Sequence, residues 1–268
     1  MAEKFKAAII GAGNIGLSIA RGLVNTKVSE VEQVTVSRRR LHMIEEVEKE
    51  GIRITDNNIE CMEGAKLVIV AVKPVQAEKV YREIAATLNP QKHIVVSIIT
   101  GVFTADIQQW IDPKVPLFMA MPNTAIALGH SMTCVSTKNA GKEHEKVILD
   151  LFNKMGTAVL INEELMNSAT VLAACGIAFA LRFMRAAAQG GIEIGFGSEM
   201  STLIAAQTLK GASELILTSG HHPEREIDKV TTPQGITISG LNEMEHNGFS
   251  SALIKGLMAS YNKISKLK

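Results

Sequence analysis

The sequence predicts an α/β fold, a doubly wound sheet followed by an all-α domain. Three observations carry that reading. An apolar run, Phe5 to Ile10, ends in Gly11-Ala12-Gly13-Asn14-Ile15-Gly16, and an amphipathic segment with Ile15, Ile19 and Leu23 follows at once. Short β-rich runs then alternate with helical patterns to about residue 160, as in consecutive βα units. Beyond Glu163 the strand signals stop and only helical patterns remain. The predicted domains are therefore 1–162 and 163–268.

Strand, glycine turn and helix together give G-x-G-x-x-G its meaning as a dinucleotide signal. Gly11 permits the tight turn, Gly13 lets backbone approach a pyrophosphate, and Gly16 lets helix and strand pack closely. With Ala12, Asn14 and Ile15 they form the candidate phosphate loop of a Rossmann-type domain, since the N–H groups at a helix start favour an anion.

A second strand is expected from Gln33 to Ser37, then a charged helix through Glu50, a short strand from Ile52 to Thr55 and a short helix from Asn57 to Gly64. Lys66 to Val72 is apolar almost throughout, as a central strand buried on both faces should be. Pro74 is placed to open the next helix, whose buried stripe is Val80, Ile84 and Leu88. His93 to Ile99 reads as another buried strand, Thr104 to Ile111 as a helix and Leu117 to Met121 as a strand. Met132 to Thr137, a helix from Lys142 to Met155, and Thr157 to Ile161 complete this half. The turns at Gly11, Ser37, Ala71–Pro74, Ile98–Gly101 and Pro122–Thr124 should gather beyond the carboxyl ends of the strands, where a ligand crevice lies.

In the second half, Leu165 to Ile192 carries only Arg182 and Arg185 as charges. A helix apolar all round is a buried one. A membrane span is the rival account. Asn167, Ser168, Thr170 and Gly176 argue against it, and the uncharged run Leu165 to Leu181 is marginal against the roughly 20 residues a span needs. The expectation is a central helix burying one face against a second subunit. Further helices are predicted from Ser198 (as N-cap) to Thr218, Pro223 to about Lys229, Ile236 to His246, and Ser250 to Ser265. Lys263, Lys266 and Lys268 should form a solvated helix end.

Composition bounds the partners. With 46% hydrophobic and 21% charged residues in 268, the chain reads as soluble and globular. Its 28 basic and 27 acidic residues leave +1, which gives no electrostatic case for nucleic acid or an anionic membrane. Cys61, Cys134 and Cys175 are far apart, so a reducing cytoplasm is expected and neither a disulfide framework nor a zinc site is. The N-terminus enters the first strand directly, so no signal peptide is expected. His221-His222, before Pro223, reads as an exposed turn, and no metal is expected.

The end of the second strand reads Val36-Ser37-Arg38-Arg39-Arg40, without the carboxylate that would bind a ribose 2′-OH. A hydroxyl and guanidinium groups suit a 2′-phosphate. NADP(H) is therefore preferred, with NAD(H) as the alternative.

Near the C-terminus the chain runs Asp228-Lys229-Val230-Thr231-Thr232-Pro233-Gln234-Gly235-Ile236-Thr237, with Asn247-Gly248-Phe249 beyond. This resembles the signature of pyrroline-5-carboxylate reductases, V-[ST]-[ST]-P-G-G-x-T followed by a helix and G-F. Ala71-Val72-Lys73-Pro74, Ser97-Ile98-Ile99-Thr100-Gly101 and Met121-Pro122-Asn123-Thr124 fall in the family's order, so the resemblance covers essentially the whole chain. It implies reduction of 1-pyrroline-5-carboxylate to proline, and a homodimer through the C-terminal helices that often assembles further. It places the carboxylate of the imino-acid substrate on the backbone of Thr232, Gln234, Gly235, Ile236 and Thr237, with Thr237 near the ring nitrogen as a hydrogen-bond or proton donor. It sets Ser37 and Asn58 near the adenosine ribose and its phosphate, Ala71, Val72, Lys73 and Pro74 along the cofactor, Ile98, Ile99 and Thr100 by the nicotinamide, and Asn123 in another lining loop.

Three departures touch the substrate side. Gln234 replaces a glycine of the P-G-G run, Ala173-Ala174-Cys175-Gly176-Ile177-Ala178 stands for S-G-S-G-P-A, and Met119 replaces an arginine. They suit a modified imine substrate or slower turnover. A β-hydroxyacid dehydrogenase would need a catalytic lysine in its first central helix, and none occurs from Leu165 to Ser201. A non-catalytic pyridine-nucleotide-binding protein is the third reading.

Overall fold

The structure, a computed structural model, describes residues 5–264. Its first part alternates β1 (Ala7–Ile10), α1 (Asn14–Asn25), β2 (Val34–Ser37), α2 (Glu45–Lys49), β3 (Arg53–Thr55), α3 (Asn58–Cys61), β4 (Leu67–Val70) and α4 (Ala77–Ile84). It continues through β5 (Ile94–Ser97), α5 (Thr104–Ile107), β6 (Leu117–Met121), β7 (Ser131–Thr137), α6 (Lys142–Lys154) and β8 (Gly156–Leu160). The strands form one sheet in the order β3-β2-β1-β4-β5-β6-β7-β8. Ile10 pairs with both Ser37 and Val70, and Val70 with Ser97, so the turns after β1, β2, β4 and β5 leave from one edge, as expected.

Alternation along each strand divides the core. Ile9, Val36, Ile69 and Phe118 face one way, onto Ile19 and Leu23 of α1 and Phe152 of α6. Ile10, Val68, Val70, Leu117 and Met119 face the other, onto Tyr81 and Ile84 of α4. Covered on both faces, the central strands read as continuous apolar runs.

Several elements depart from expectation. β7 runs antiparallel to β6, because the segment 122–130 holds only a 3-10 turn, Thr124–Leu128, and a parallel return needs a longer crossover. α5 stops at Ile107, where tighter i→i+3 bonding takes over, as in Trp110 N–H to Ile107 O. Asn57 does not begin α3 but caps it, accepting from the N–H groups of Ile59 and Glu60.

The helical part contains α7 (Met166–Ala169), a π-helical segment Thr170–Cys175, α8 (Gly176–Glu193), α9 (Ser198–Ser219), α10 (Pro223–Asp228), α11 (Ile236–His246) and α12 (Phe249–Ile264). The run expected as one helix is therefore interrupted. Gly197, not Ser198, is the N-cap of α9. Ser265, Lys266 and Lys268 lie outside the described residues.

The chain divides into two compact units, one running to Cys175 and including the chain from Tyr261, the other Gly176–Ser260. Within the second unit α8 contributes no buried residue, and Leu181, Phe183, Ile192, Leu203 and Leu215 are all exposed. A single chain thus does not bury α8. By length and composition alone, Glu163–Glu193 is long and apolar enough to cross a membrane. So large an apolar surface marks an interaction face.

Candidate functional site

The turn after β1 is shaped by the three glycines. Gly11 has φ +106°, which favours glycine, and a Cβ there would lie 2.7 Å from Ala71 O. A Cβ on Gly16 would lie 2.3 Å from Gly11 O. A Cβ on Gly13 would meet nothing within 4 Å, so that side of the turn is open. The N–H groups of Gly11 and Ala12 both bond Ser37 O, and that of Gly13 bonds Gly11 O. The remaining donors at this end belong to the first turn of α1, from Asn14, Ile15 and Gly16. An open approach to orphan N–H groups fits a pyrophosphate.

At the end of β2, Ser37 is buried and donates its hydroxyl to Asn58 Oδ1 at 2.7 Å. Asn58 Nδ2 in turn reaches Glu83 Oε1 at 3.1 Å. These two expected cofactor residues are bonded to each other. Arg38 folds back over the turn, Nη1 donating to Ala12 O at 2.7 Å, while Arg39 and Arg40 are exposed. The Arg38 guanidinium thus sits beside the turn that follows β1.

Ala71 and Val72 leave β4 half-buried, Lys73 is exposed, and Pro74 opens a 3-10 turn before α4. Ile98 and Ile99 are buried and Thr100 half-buried after β5. Asn123 begins the 3-10 turn after β6, its Oδ1 accepting from Ala125 N–H. The first unit thus brings Gly11–Gly16, Ser37, Ala71 and Ile98 to one sheet edge.

In the second unit, Thr231–Thr237 forms a turn and then a helix start. Gly235 N–H bonds Thr232 O at 2.8 Å, closing a β-turn with Pro233 second and Gln234 third. Gln234 has φ +59°, the left-handed conformation that this position of a type II turn requires and glycine meets most easily. A Cβ on Gly235 would lie 2.9 Å from the backbone oxygen of Thr232, and that close backbone approach favours glycine there. Gly235 caps α11 without a side-chain bond, leaving the N–H groups of Ile236 and Thr237 in the open first turn. Thr237 is therefore not the helix cap, and the residue is exposed.

Residues 163–267 match the family described as pyrroline-5-carboxylate reductase dimerisation, and 6–101 match NADP oxidoreductase, coenzyme F420-dependent. Pyrroline-5-carboxylate reductase 2 of Dictyostelium discoideum is 42% identical, over 97% of this chain and 92% of its own. The chain belongs to the pyrroline-5-carboxylate reductase family. Pyrroline-5-carboxylate reductase 1 of the same organism is 43% identical over 97% of this chain, which spans 49% of that longer protein. The NADP-bound crystal structure of Plasmodium falciparum pyrroline carboxylate reductase superposes with a TM-score of 0.88 at 25% identity, covering 98% of this chain and 97% of that one.

For a pyrroline-5-carboxylate reductase family member, two features had no sequence signal. Glu163 is buried, accepting from Thr104 N–H at 2.7 Å and from Lys138 Nζ at 2.7 Å. It anchors the start of α5 across a separation that no local pattern reveals. The π-helical segment is likewise absent from the apolar pattern, because periodicity in so uniform a run does not distinguish an extra residue. Cys175, in that segment, has its thiol pushed up by burial, which keeps it protonated and supports a packing role.

Proposed function

We propose that this chain reduces 1-pyrroline-5-carboxylate to L-proline with NADPH, the last step of proline synthesis. The observation that carries the reading is the loop Thr231–Thr237, a helix start with free N–H groups and an uncommitted threonine hydroxyl. A cyclic imino acid needs a grip on its carboxylate and a proton at nitrogen. Ile236 and Thr237 offer N–H donors to the carboxylate, with Thr232, Gln234 and Gly235 shaping the approach. The Thr237 hydroxyl hydrogen-bonds the ring nitrogen or assists its protonation. NADPH, when bound, supplies the hydride that adds to the imine carbon. Asn14, Ile15 and Gly16 hold its pyrophosphate, Arg38 and its neighbours its 2′-phosphate, and NAD(H) serves less well. Asn58, Ala71 to Pro74 and Ile98 to Thr100 line its path.

The same reading makes the protein a soluble, cytoplasmic homodimer joined through the helical region 163–268, with dimers able to assemble further. The exposed apolar faces of α8 and α9 support a protein interface over a lipid one, since Arg182 and Arg185 also lie exposed on α8.

Steady-state NADPH oxidation with pyrroline-5-carboxylate tests the proposal, with kcat/KM expected to be higher for NADPH than for NADH. Thr237→Ala should lower kcat at least about tenfold with an unchanged melting temperature. Tight NADPH binding without turnover would favour the non-catalytic reading. Gln234 keeps a second substrate open, because its side chain rises where glycine would leave backbone bare. Gln234→Gly is expected to lower KM for pyrroline-5-carboxylate a few-fold; no change, with better turnover of another cyclic imine, would redefine the substrate.

A further inference from the structure

Asn123 was expected to line the cofactor, yet the structure commits its polar groups elsewhere. Its backbone N–H donates to Ser131 Oγ at 3.1 Å and its Oδ1 accepts from Ala125 N–H at 3.0 Å. Its Nδ2 donates to Ala173 O at 3.2 Å, inside the π-helical segment Thr170–Cys175. Ser131 is itself buried and bonded to Thr133 Oγ1 at 3.2 Å, so the anchor on β7 is fixed. The turn that Asn123 starts, Thr124–Leu128, packs against the dinucleotide helix α1. A Cβ on Gly22 would lie 2.5 Å from Ile126 O, and Asn25 Nδ2 donates to Ala127 O at 2.9 Å.

We infer that Asn123 is a positioning residue, a latch that ties the turn packed on α1 to the π-helical segment and so fixes that segment against the cofactor side. The physical basis lies in the altered helix. A π turn displaces carbonyls from their i→i+4 partners, and such insertions persist where something outside the helix bonds to them. Here Asn123 bonds Ala173 O. Ala173 also begins the stretch that stands for the family's S-G-S-G-P-A, so the latch holds a segment whose own serines and proline are missing. The inference rests on the proposed reductase activity. It assigns Asn123 to the alignment of the reacting partners and removes it from the groups that bind NADPH.

Asn123→Asp separates the roles, because aspartate caps a helical turn as well as asparagine but cannot donate to Ala173 O. Asn123→Ser removes the same donor without adding charge. Both variants should keep the wild-type melting temperature and bind NADPH within twofold, while kcat with pyrroline-5-carboxylate falls at least about tenfold, since small misalignments cost rate more than binding. Amide hydrogen exchange of Thr170–Cys175 should be faster in both. A kcat within twofold of wild type, a loss confined to Asn123→Asp, or a matching loss of NADPH affinity would each overturn the latch. If the wild type does not turn over pyrroline-5-carboxylate, the substrate assignment fails by itself. Exchange at Thr170–Cys175 then decides the latch independently, and unchanged exchange in both variants overturns it.

Discussion

Gly16→Ala is expected to weaken NADPH binding about tenfold to a hundredfold and to destabilise the first unit, because its methyl group has no place to go. The added carbon would lie 2.3 Å from Gly11 O and 3.4 Å from Ile9 Cγ2. The first contact is backbone, so relief requires moving the start of α1 away from β1. Overpacking of this kind costs about 1–3 kcal/mol, and each 1.4 kcal/mol that reaches the binding equilibrium is about tenfold in Kd. The shift carries off the N–H groups of Asn14 and Ile15. Gly13→Ala provides the contrast: its Cβ meets nothing within 4 Å, so folding should change by about 1 kcal/mol or less. The methyl group would stand in the open space beside the first turn of α1, where the proposed site puts the pyrophosphate. Fluorescence titration with NADPH, alongside thermal melting, should show weakened binding in both variants and a large melting shift only for Gly16→Ala. Wild-type affinity in either variant would mean that the cofactor does not use this turn.

Glu163→Ala is expected to cost about 2–3 kcal/mol of stability, mainly by stranding the Thr104 N–H at the start of α5. The carboxylate side chain is 4% exposed, whereas Lys138 is 53% exposed, so solvent screens the ion pair and the backbone bond matters more. Burial by itself would raise the Glu163 carboxyl, but the bonds from Lys138 and the Thr104 N–H outweigh it and hold it below its ordinary value. A carboxyl lowered in this way contributes its full stabilisation above the unfolded value, 4.5, and loses it as pH falls through the lowered one. Glu163→Gln retains an acceptor for Thr104 and has no such titration. Denaturant midpoints should therefore drop less on acidification from pH 7 to 3.5 in Glu163→Gln than in wild type. Equal slopes would show that Glu163 does not couple stability to pH.

The glycine turn was legible because each glycine has a local task at a fixed spacing, and strand-turn-helix order is written in adjacent residues. The direction of β7 was legible in principle. Segment 122–130 is too short for a parallel crossover, but the alternation that reveals a strand does not reveal its direction. The glutamine in the P-G-G position was visible, and its conformation was not, since only the closed turn from Thr232 to Gly235 forces φ +59° on Gln234. Ser37 and Asn58 were each placed near the cofactor, while their bond to each other joins β2 to α3.

The sequence by itself determined the order of strands and helices, the dinucleotide turn, the basic corner after β2 and the family loop at Thr231–Thr237. These are encoded in neighbouring residues, where steric rules and hydrophobic period act over a few positions. Only the tertiary structure decided that Glu163 holds α5, that Asn123 reaches Ala173, and that the apolar run carries a π-helical segment. Those outcomes depend on groups 59 and 50 residues apart in the chain meeting through the folded sheet, and no local pattern carries that meeting.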